Sequence, residues 1–520
     1  MTPLVLTGTV VTFDDDRRVL RSGAVYVNDH GIIETVQSAR RRAPAGYTHA
    51  RRVSTGATVY PGLIDLHNHL AYNTLPLWRA PRDTPYTTRY QWPGAATYGR
   101  DISNPATAYG EAAPAAALRY AEVKAVVGGT TAIQGSPPLT RAFPGWMVRN
   151  VEKEVFVEDG SGPAVKDRWR QSVLPMEPAA LAKVGTALAA GTSFAYHLAE
   201  GTSEKLRSEF ESLDAAGCIH PGLVGIHSTA LSAEELAAWG AVGGTVVWSP
   251  FSNLWLYGDT TDVVAARAAG LNVCLGNDWS PSATRNLLGE LKVAAEWNDR
   301  SLGGAFEALE LCEMVTRNPG LTLERTWNRP VGRLVEGALA DLAVLRRHSG
   351  DGYADLLAAT EADVTLVIIG GRPCYGTAAL VGAAGATSSE EVRVGRLRRR
   401  VVMSLPPELT PADPDLAAQA NLSWAAGLAQ LEAVRRDPGT AVRTARERKP
   451  RGVPAFRFVP DMAGPIDADG EARVLDDQEL DTLVMPPLDP LLHDSAFFDR
   501  LDREAPAHAQ LLRGLRARFR

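Results

Sequence analysis

The stretch "VYPGLIDLHNHL", residues 59–70, ends an apolar run with two histidines, His67 and His69, one residue apart after a Pro61-Gly62 turn. Side chains alternate along a β-strand, so residues i and i+2 point the same way. Two imidazoles therefore leave one strand end side by side, and the rest of the chain must explain what they face. Asp65 in the same run reads as structural.

Before this stretch, "LVLTGTVVTF", "GAVYVN" and "GIIETV" alternate and turn like short antiparallel strands. After it the rhythm changes. Ala-rich helical stretches, among them "PAALAKVGTALAAG" and "SAEELAAWGAVGG", end at Gly, and each is followed by a short apolar strand: "TTAIQG", "TSFAYHL", "LVGIHS", "TVVWSP", "NVCLGND". Strands alternating with helices at this spacing predict an α/β architecture. We expect a (β/α)8 TIM barrel over residues 58–330. Residues 331–385 return to hairpin-like strands and are expected to complete a discontinuous β-sandwich with residues 1–57. Residues 386–520 form a partly helical C-terminal extension: a basic run at 396–400 read as solvated, an amphipathic helix over 416–431, a solvated loop "RTARERKPRG", and two terminal helical segments.

In a barrel the strand ends meet at one mouth. His197 ends "TSFAYH", His227 ends "LVGIH" and Asp278 ends "NVCLGND", so all three are expected to converge there with His67 and His69. Imidazole nitrogens with a carboxylate suit Zn²⁺ or Fe²⁺, and a water in an open position becomes acidic enough to act as a nucleophile near neutral pH. Glu200, three residues after His197, lies where a carboxyl can move that water's proton. His30, His49, His220, His348, His493 and His508 read as ordinary core or surface histidines.

Several segments together resemble the amidohydrolase superfamily of metal-dependent hydrolases, in its cytosine deaminase and chlorohydrolase-like branch. They are "PGLIDLHNH", "YHLAE", "GIHSTALS", "PFSNLWLYG", "LGNDWSP", "MVTRNPG" and "GRLVEGALADLAVL", and the resemblance covers residues 4–376. It implies His67, His69, His197 and Asp278 as ligands of one divalent metal, zinc first, with iron or manganese as alternatives. It also implies Glu200, His227 and Asp278 as catalytic groups. Binuclear members carry a bridging lysine after the fourth strand; "RQSVLPM" has none. Lys166 and Lys183 only flank it, and Glu177 could replace the bridge, which leaves a second metal open. The expected activity is hydrolysis of a non-peptide C–N bond of a small molecule, by a deaminase or (cyclic) amidase. The alternatives are a dehalogenating hydrolase or a non-catalytic binding protein on the same scaffold.

The long loop after His69 is rich in Tyr, Trp and Arg. Tyr72, Trp78, Arg89 and Trp92 are candidate pocket residues, joined by Trp255, Tyr257 and Trp279 from the loops of the last strands. The alternative for the first group is that these rings only pin the loop to the surface.

Composition narrows the partners. A net charge of -6, from 54 basic and 60 acidic residues, argues against nucleic acid and anionic membranes and for a small-molecule substrate; a homo-oligomer stays open. Neither a signal peptide nor an apolar run of about 18 residues is found, and the four cysteines are widely spaced, so a cytoplasmic protein with reduced thiols is expected.

Overall fold

A computed structural model of the chain describes residues 1–79, 82–135, 145–156, 168–448 and 474–519. Strands β1 (Leu4–Val11), β2 (Val19–Val27) and β3 (Ile33–Ser38) form an antiparallel meander, and β4 (Arg51–Pro61) lies parallel to β1 on its other side. The quoted stretch then changes sheet. Pro61 ends β4, and β5 (Leu63–Asp65) begins two residues later against a new neighbour. Gly62 permits that close approach, because a Cβ there would lie 2.1 Å from Oγ1 of Thr131.

From β5 onward the strands run parallel: β6 (Thr130–Ile133), β7 (Arg149–Asn150), β8 (Trp169–Ser172), β9 (Ser193–Leu198), β10 (Leu223–His227), β11 (Thr245–Trp248) and β12 (Asn272–Leu275). They pair in chain order as β5-β6-β7 and β8-β9-β10-β11-β12. Helices lie between them as expected, among them Pro178–Ala189 and Ala233–Val242; the latter begins in a capping box of Ser232 and Glu235. Ile64, Leu66, Ala132, Ala195, Val224, Ile226, Val247 and Cys274, drawn from both parallel sets, fill one buried cluster. The ends of the first and last parallel strands also meet: Asn68 and Asp278 form a parallel bridge, and Asp278 N donates to the His67 carbonyl at 2.8 Å. The fold is therefore mixed α/β with parallel sheets.

The chain then returns to the first sheet. β13 (Leu342–Leu345) pairs antiparallel with β4, followed by β14 (Val364–Ile369), β15 (Arg372–Gly376), β16 (Glu390–Val394) and β17 (Leu397–Val401). The order is β16-β17-β15-β14-β13-β4-β1-β2-β3, so residues from both ends of the parallel region share one sheet. This sheet continues past residue 385, where the sequence reading began the extension, because Val392, Val394 and Val401 alternate inward. The same alternation corrects the reading of 396–400 as solvated: Arg399 is buried, its guanidinium donating to the carbonyls of Ala362 and Val364, while Arg398 remains exposed.

Two further corrections fall in the extension. The helix expected over 416–431 is two, Pro414–Ala420 and Trp424–Arg436, parted where the Ser423 side chain caps the second by accepting from Ala426 N. Residues 443–447 of the expected loop are helical within Pro438–Glu447, whose Arg446 makes two hydrogen bonds to Glu111; residues 449–452 lie outside the described residues. Helix Ser495–Glu504 and the 3-10 turns of Ala507–Phe519 pack on the parallel region, with His508 bonded to the Trp255 carbonyl and Phe497 against Phe251. Cys218, Cys274, Cys312 and Cys374 are all free thiols, and among the described residues no helix is long and apolar enough to cross a membrane.

Candidate metal centre

The site assembles where the parallel strands end. His67 and His69 follow β5, His197 lies near the end of β9, His227 closes β10 and Asp278 follows β12; all five are buried. The Nε2 atoms of His67, His69 and His197 lie 3.2–3.3 Å from one another, and Asp278 Oδ1 is 3.4 Å from His67 and 3.5 Å from His69. His67, His197 and His227 form a second such group.

Three imidazole nitrogens this close cannot satisfy one another. A neutral imidazole carries one proton, and Ser249 Oγ, 2.7 Å from His67 Nδ1, offers that proton an acceptor away from the cluster. Burial drives the His67 and His197 imidazoles well below their ordinary range, so they are neutral, and a ring that carries its proton on Nδ1 turns a lone pair toward the cluster. A tetrahedral cation with Zn–N bonds of about 2.0–2.1 Å would hold its ligand nitrogens about 3.3–3.4 Å apart. The donor set thus fits a divalent ion in both chemistry and spacing. Burial also pushes the Asp278 carboxyl up, a shift that a cation beside it would oppose.

His227 and Glu200 complete the polar wall. His227 Nδ1 lies 2.8 Å from Asn253 Oδ1, and the amide nitrogen of Asn253 donates to Thr229 Oγ1. This orientation places the His227 proton on Nδ1 and turns Nε2 toward Glu200 Oε2 at 3.6 Å and Asp278 Oδ2 at 3.9 Å. Glu200 Oε1 accepts from the Tyr257 hydroxyl at 2.5 Å, and that hydroxyl accepts from Trp92 Nε1 at 3.1 Å. Burial, with Glu200 beside it, raises Tyr257 well above the ordinary phenol range, so the hydroxyl keeps its proton.

The backbone is bent sharply where these side chains depart. Ala199 (φ 49°), His227 (φ 64°), Ser228 (φ 56°) and Asp278 (φ 65°) all adopt left-handed conformations. Each costs a non-glycine residue about 1–3 kcal/mol, a cost typical of functional sites. Gly276 makes room for the first histidine, since a Cβ there would lie 2.4 Å from His67 Cβ. Asp65 is the brace between strand ends: Oδ1 accepts from the amides of His67 and Asn277, and Oδ2 from the Asn68 side chain. Burial pushes its carboxyl up to about 7.

The expected pocket residues separate into three groups. Tyr72 and Trp279 meet edge-on at 5.0 Å, Tyr72 lies 6.4 Å from the His69 ring, and Trp92 packs on Trp279 at 5.0 Å, so these rings wall the site with Tyr257. Trp78 and Trp255 instead brace each other through Trp255 Nε1 and the Trp78 carbonyl, and Trp255 stacks on Phe251. Arg89 is buried with its guanidinium directed at Val173 O, the Tyr90 hydroxyl and Glu209, while its backbone amide donates to Glu200 O. The aromatic loop is thus both wall and pinned strap: Thr88 and Gly201 form a bridge, and Tyr86 N donates to Leu256 O. Glu177 stands exposed at the start of helix Pro178–Ala189 and takes no part in the cluster; Lys183 is exposed, and Lys166 lies outside the described residues.

Sequence reasoning missed Ser249 and Asn253, although both lie in segments it quoted. A Ser-Pro pair ending the seventh strand, and an Asn three residues into the following helix, were the available signals. It also missed Tyr98, whose ring packs between Trp92, Trp78 and Trp279.

No family model matches the chain. A 5-methylthioadenosine/S-adenosylhomocysteine deaminase of Pyrococcus furiosus is 31% identical over 159 residues, 29% of this chain and 37% of that protein. The chain therefore matches little more than a third of that curated relative's length. Among solved structures, an adenosine deaminase from Xanthomonas campestris with bound zinc superposes with a TM-score of 0.56 at 19% identity, covering 85% of this chain and 99% of that one. An atrazine chlorohydrolase from Arthrobacter aurescens complexed with zinc gives 0.52 at 18% identity, covering 71% and 94%.

Proposed function

We propose that the chain is a metal-dependent hydrolase of the amidohydrolase superfamily and that it deaminates a flat amino-heterocycle; the local match to a deaminase and the likeness to zinc-bound hydrolase folds support this reading. The observation that carries this reading is the convergence of three imidazole nitrogens at 3.2–3.3 Å with a carboxylate oxygen beside them. His67, His69, His197 and Asp278 would hold one divalent cation, zinc first. When bound, that ion acts as a Lewis acid and makes a water nucleophilic near neutral pH.

The chain's own groups then divide the work. Asp278, fixed by the Trp279 amide at 2.8 Å, is the base that takes the proton of the attacking water. Glu200, held by Tyr257, carries a proton to the leaving nitrogen. His227, held through Nδ1 by Asn253, turns Nε2 toward the space between Glu200 and Asp278, where it would face the attacking water or the substrate's developing oxyanion. Tyr72, Trp92 and Trp279 would hold a planar ring. The Arg89 guanidinium, engaged with Glu209 and Val173, is not aimed at a substrate carboxylate or phosphate, which favours a neutral heterocycle over N-acyl acids.

We also infer that the eight parallel strands close into a barrel and that the nine-stranded sheet folds over its own face as a sandwich. The Asn68–Asp278 bridge supports the first, and the second is supported by a single buried cluster that unites Leu4, Leu6 and Val25 with Val344, Leu366 and Ile368.

The test is metal analysis and ammonia release. Zinc- and iron-loaded protein is offered aminopurine nucleosides first, since the matched relative is a deaminase of that class, then free aminopurines, aminopyrimidines and cyclic amides. Bound metal unchanged in His67→Ala/His69→Ala removes the site. Chloride release from a chlorotriazine without ammonia from any amine would favour the dehalogenating alternative, which the likeness to the chlorohydrolase fold keeps in view.

A further inference from the structure

We propose that Asp489, in the C-terminal extension, is a positioning residue that works through Lys124 to clamp together the loops leaving the first and last parallel strands. The clamp is a property of those loops; its effect on metal retention rests on the metal-centre reading above.

Asp489 lies in the extended, proline-flanked run "MPPLDP", residues 485–490, far from the metal centre in sequence. Its amide donates to Thr74 O at 2.9 Å, and the Tyr120 hydroxyl donates to its carbonyl. Its carboxylate is buried between two cations, with Lys124 Nζ at 2.5 Å and the Arg285 guanidinium at 3.1 Å. Lys124, also buried, donates further to the Asn73 carbonyl at 3.2 Å and to Ser280 Oγ at 2.7 Å. An ammonium has three protons, and here each has one acceptor: the extension, the loop after β5 and the loop after β12.

The chain of bonds continues to the metal centre. The Ser280 hydroxyl donates to Asn73 Oδ1 at 3.1 Å, Asn73 Nδ2 donates to Asn68 Oδ1 at 2.8 Å, and Asn68 stands between His67 and His69. Ser280 is two residues beyond Asp278. One buried ammonium thus ties the peptide that carries two histidines to the peptide that carries the carboxylate. A buried ion network contributes little net stability compared with apolar packing of similar volume, so what distinguishes this one is the geometry it fixes. Asp489 is what keeps the ammonium charged and in place.

Three full-length variants separate positioning from bulk stability. Asp489→Asn leaves Lys124 without a carboxylate partner and Arg285 with Asp494 alone. Lys124→Met/Asp489→Asn removes one charge of each sign and leaves Arg285 paired with Asp494. Ser280→Ala removes one contact of Lys124, and the Ser280–Asn73 hydrogen bond with it, without changing charge. Thermal melting and hydrogen exchange are measured on metal-free protein. Asp489→Asn is expected to melt lower and the double variant to recover. In both, amides of residues 70–79 and 279–286 should exchange about tenfold faster than in wild type while β9–β11 are unchanged. Ser280→Ala should show the same local pattern, weaker, in 279–286. Zinc retention against a chelator should fall about tenfold in the double variant. Wild-type exchange in these loops, or exchange raised evenly across β5–β12, overturns the clamp. Should the double variant fail to fold, Ser280→Ala decides by the same criterion. Wild-type protein that binds no zinc defeats the metal-centre reading, and the exchange result still decides the clamp.

Discussion

Ser249→Ala tests the tautomer on which the metal centre depends. His67 is fully buried, and its Nδ1 lies 2.7 Å from Ser249 Oγ while its Nε2 faces His69 and His197. If Nε2 presents a lone pair to a cation, the ring proton is on Nδ1 and donates to the serine. Removing the hydroxyl leaves that N–H without a partner in a dry interior, a loss of about 1–3 kcal/mol. Outer-shell partners of metal-bound histidines cost about 10–100-fold in affinity when removed, or about 1.4–2.7 kcal/mol, so the two estimates agree. In the metal-free variant the ring can carry its proton on Nε2 instead, so the loss falls on metal binding: the zinc dissociation constant of Ser249→Ala should rise about 10–100-fold in competition with a chromogenic chelator, with the melting temperature of the metal-free protein nearly unchanged. An affinity within roughly threefold of wild type would refute the assignment, because Nδ1 would then not need the serine.

Tyr257→Phe removes the hydroxyl donor to Glu200 and should lower kcat/KM of the loaded enzyme about 10–100-fold, the worth of a hydrogen bond to a charged group, with metal content unchanged. Gly276→Ala would drive a Cβ to 2.4 Å from His67 Cβ, so metal content after purification should fall sharply even if the protein stays folded. Burial pushes Lys292 down to about 8, so between there and its ordinary 10.5 the unfolded chain binds more protons than the folded one. Stability contributed by this group therefore rises with pH across that window. In urea melts from pH 7.5 to 10.5, wild type should gain about 3 kcal/mol relative to Lys292→Met, and a difference that shrinks with pH would show the sign to be wrong.

Much of the site was legible because its signals are local. The i, i+2 alternation of His67 and His69, and the recurrence of His197, His227 and Asp278 at strand ends, need only the strand period and the βα rhythm. Strands β9–β12 were readable for the same reason: each is a short apolar run closing a helix that ends near glycine. The two-residue strand β7 has too few residues to show any period. Arg399 looked solvated inside a run of arginines, and only the pairing of β16 with β17 decided that it points inward. The helix break at 421–423 was hidden because apolar spacing continues through it.

The sequence by itself determined which donor atoms could meet and that the strand ends would bring them to one place. The tertiary structure decided what each donor's other side touches: Ser249 behind His67, Asn253 behind His227, Tyr257 behind Glu200, and Asp489 behind the loops. These partners lie tens to hundreds of residues away, and nothing in local periodicity encodes a hydrogen bond across that distance. Yet they fix the aim of His67, His227 and Glu200, because a buried polar group takes the orientation its partner satisfies.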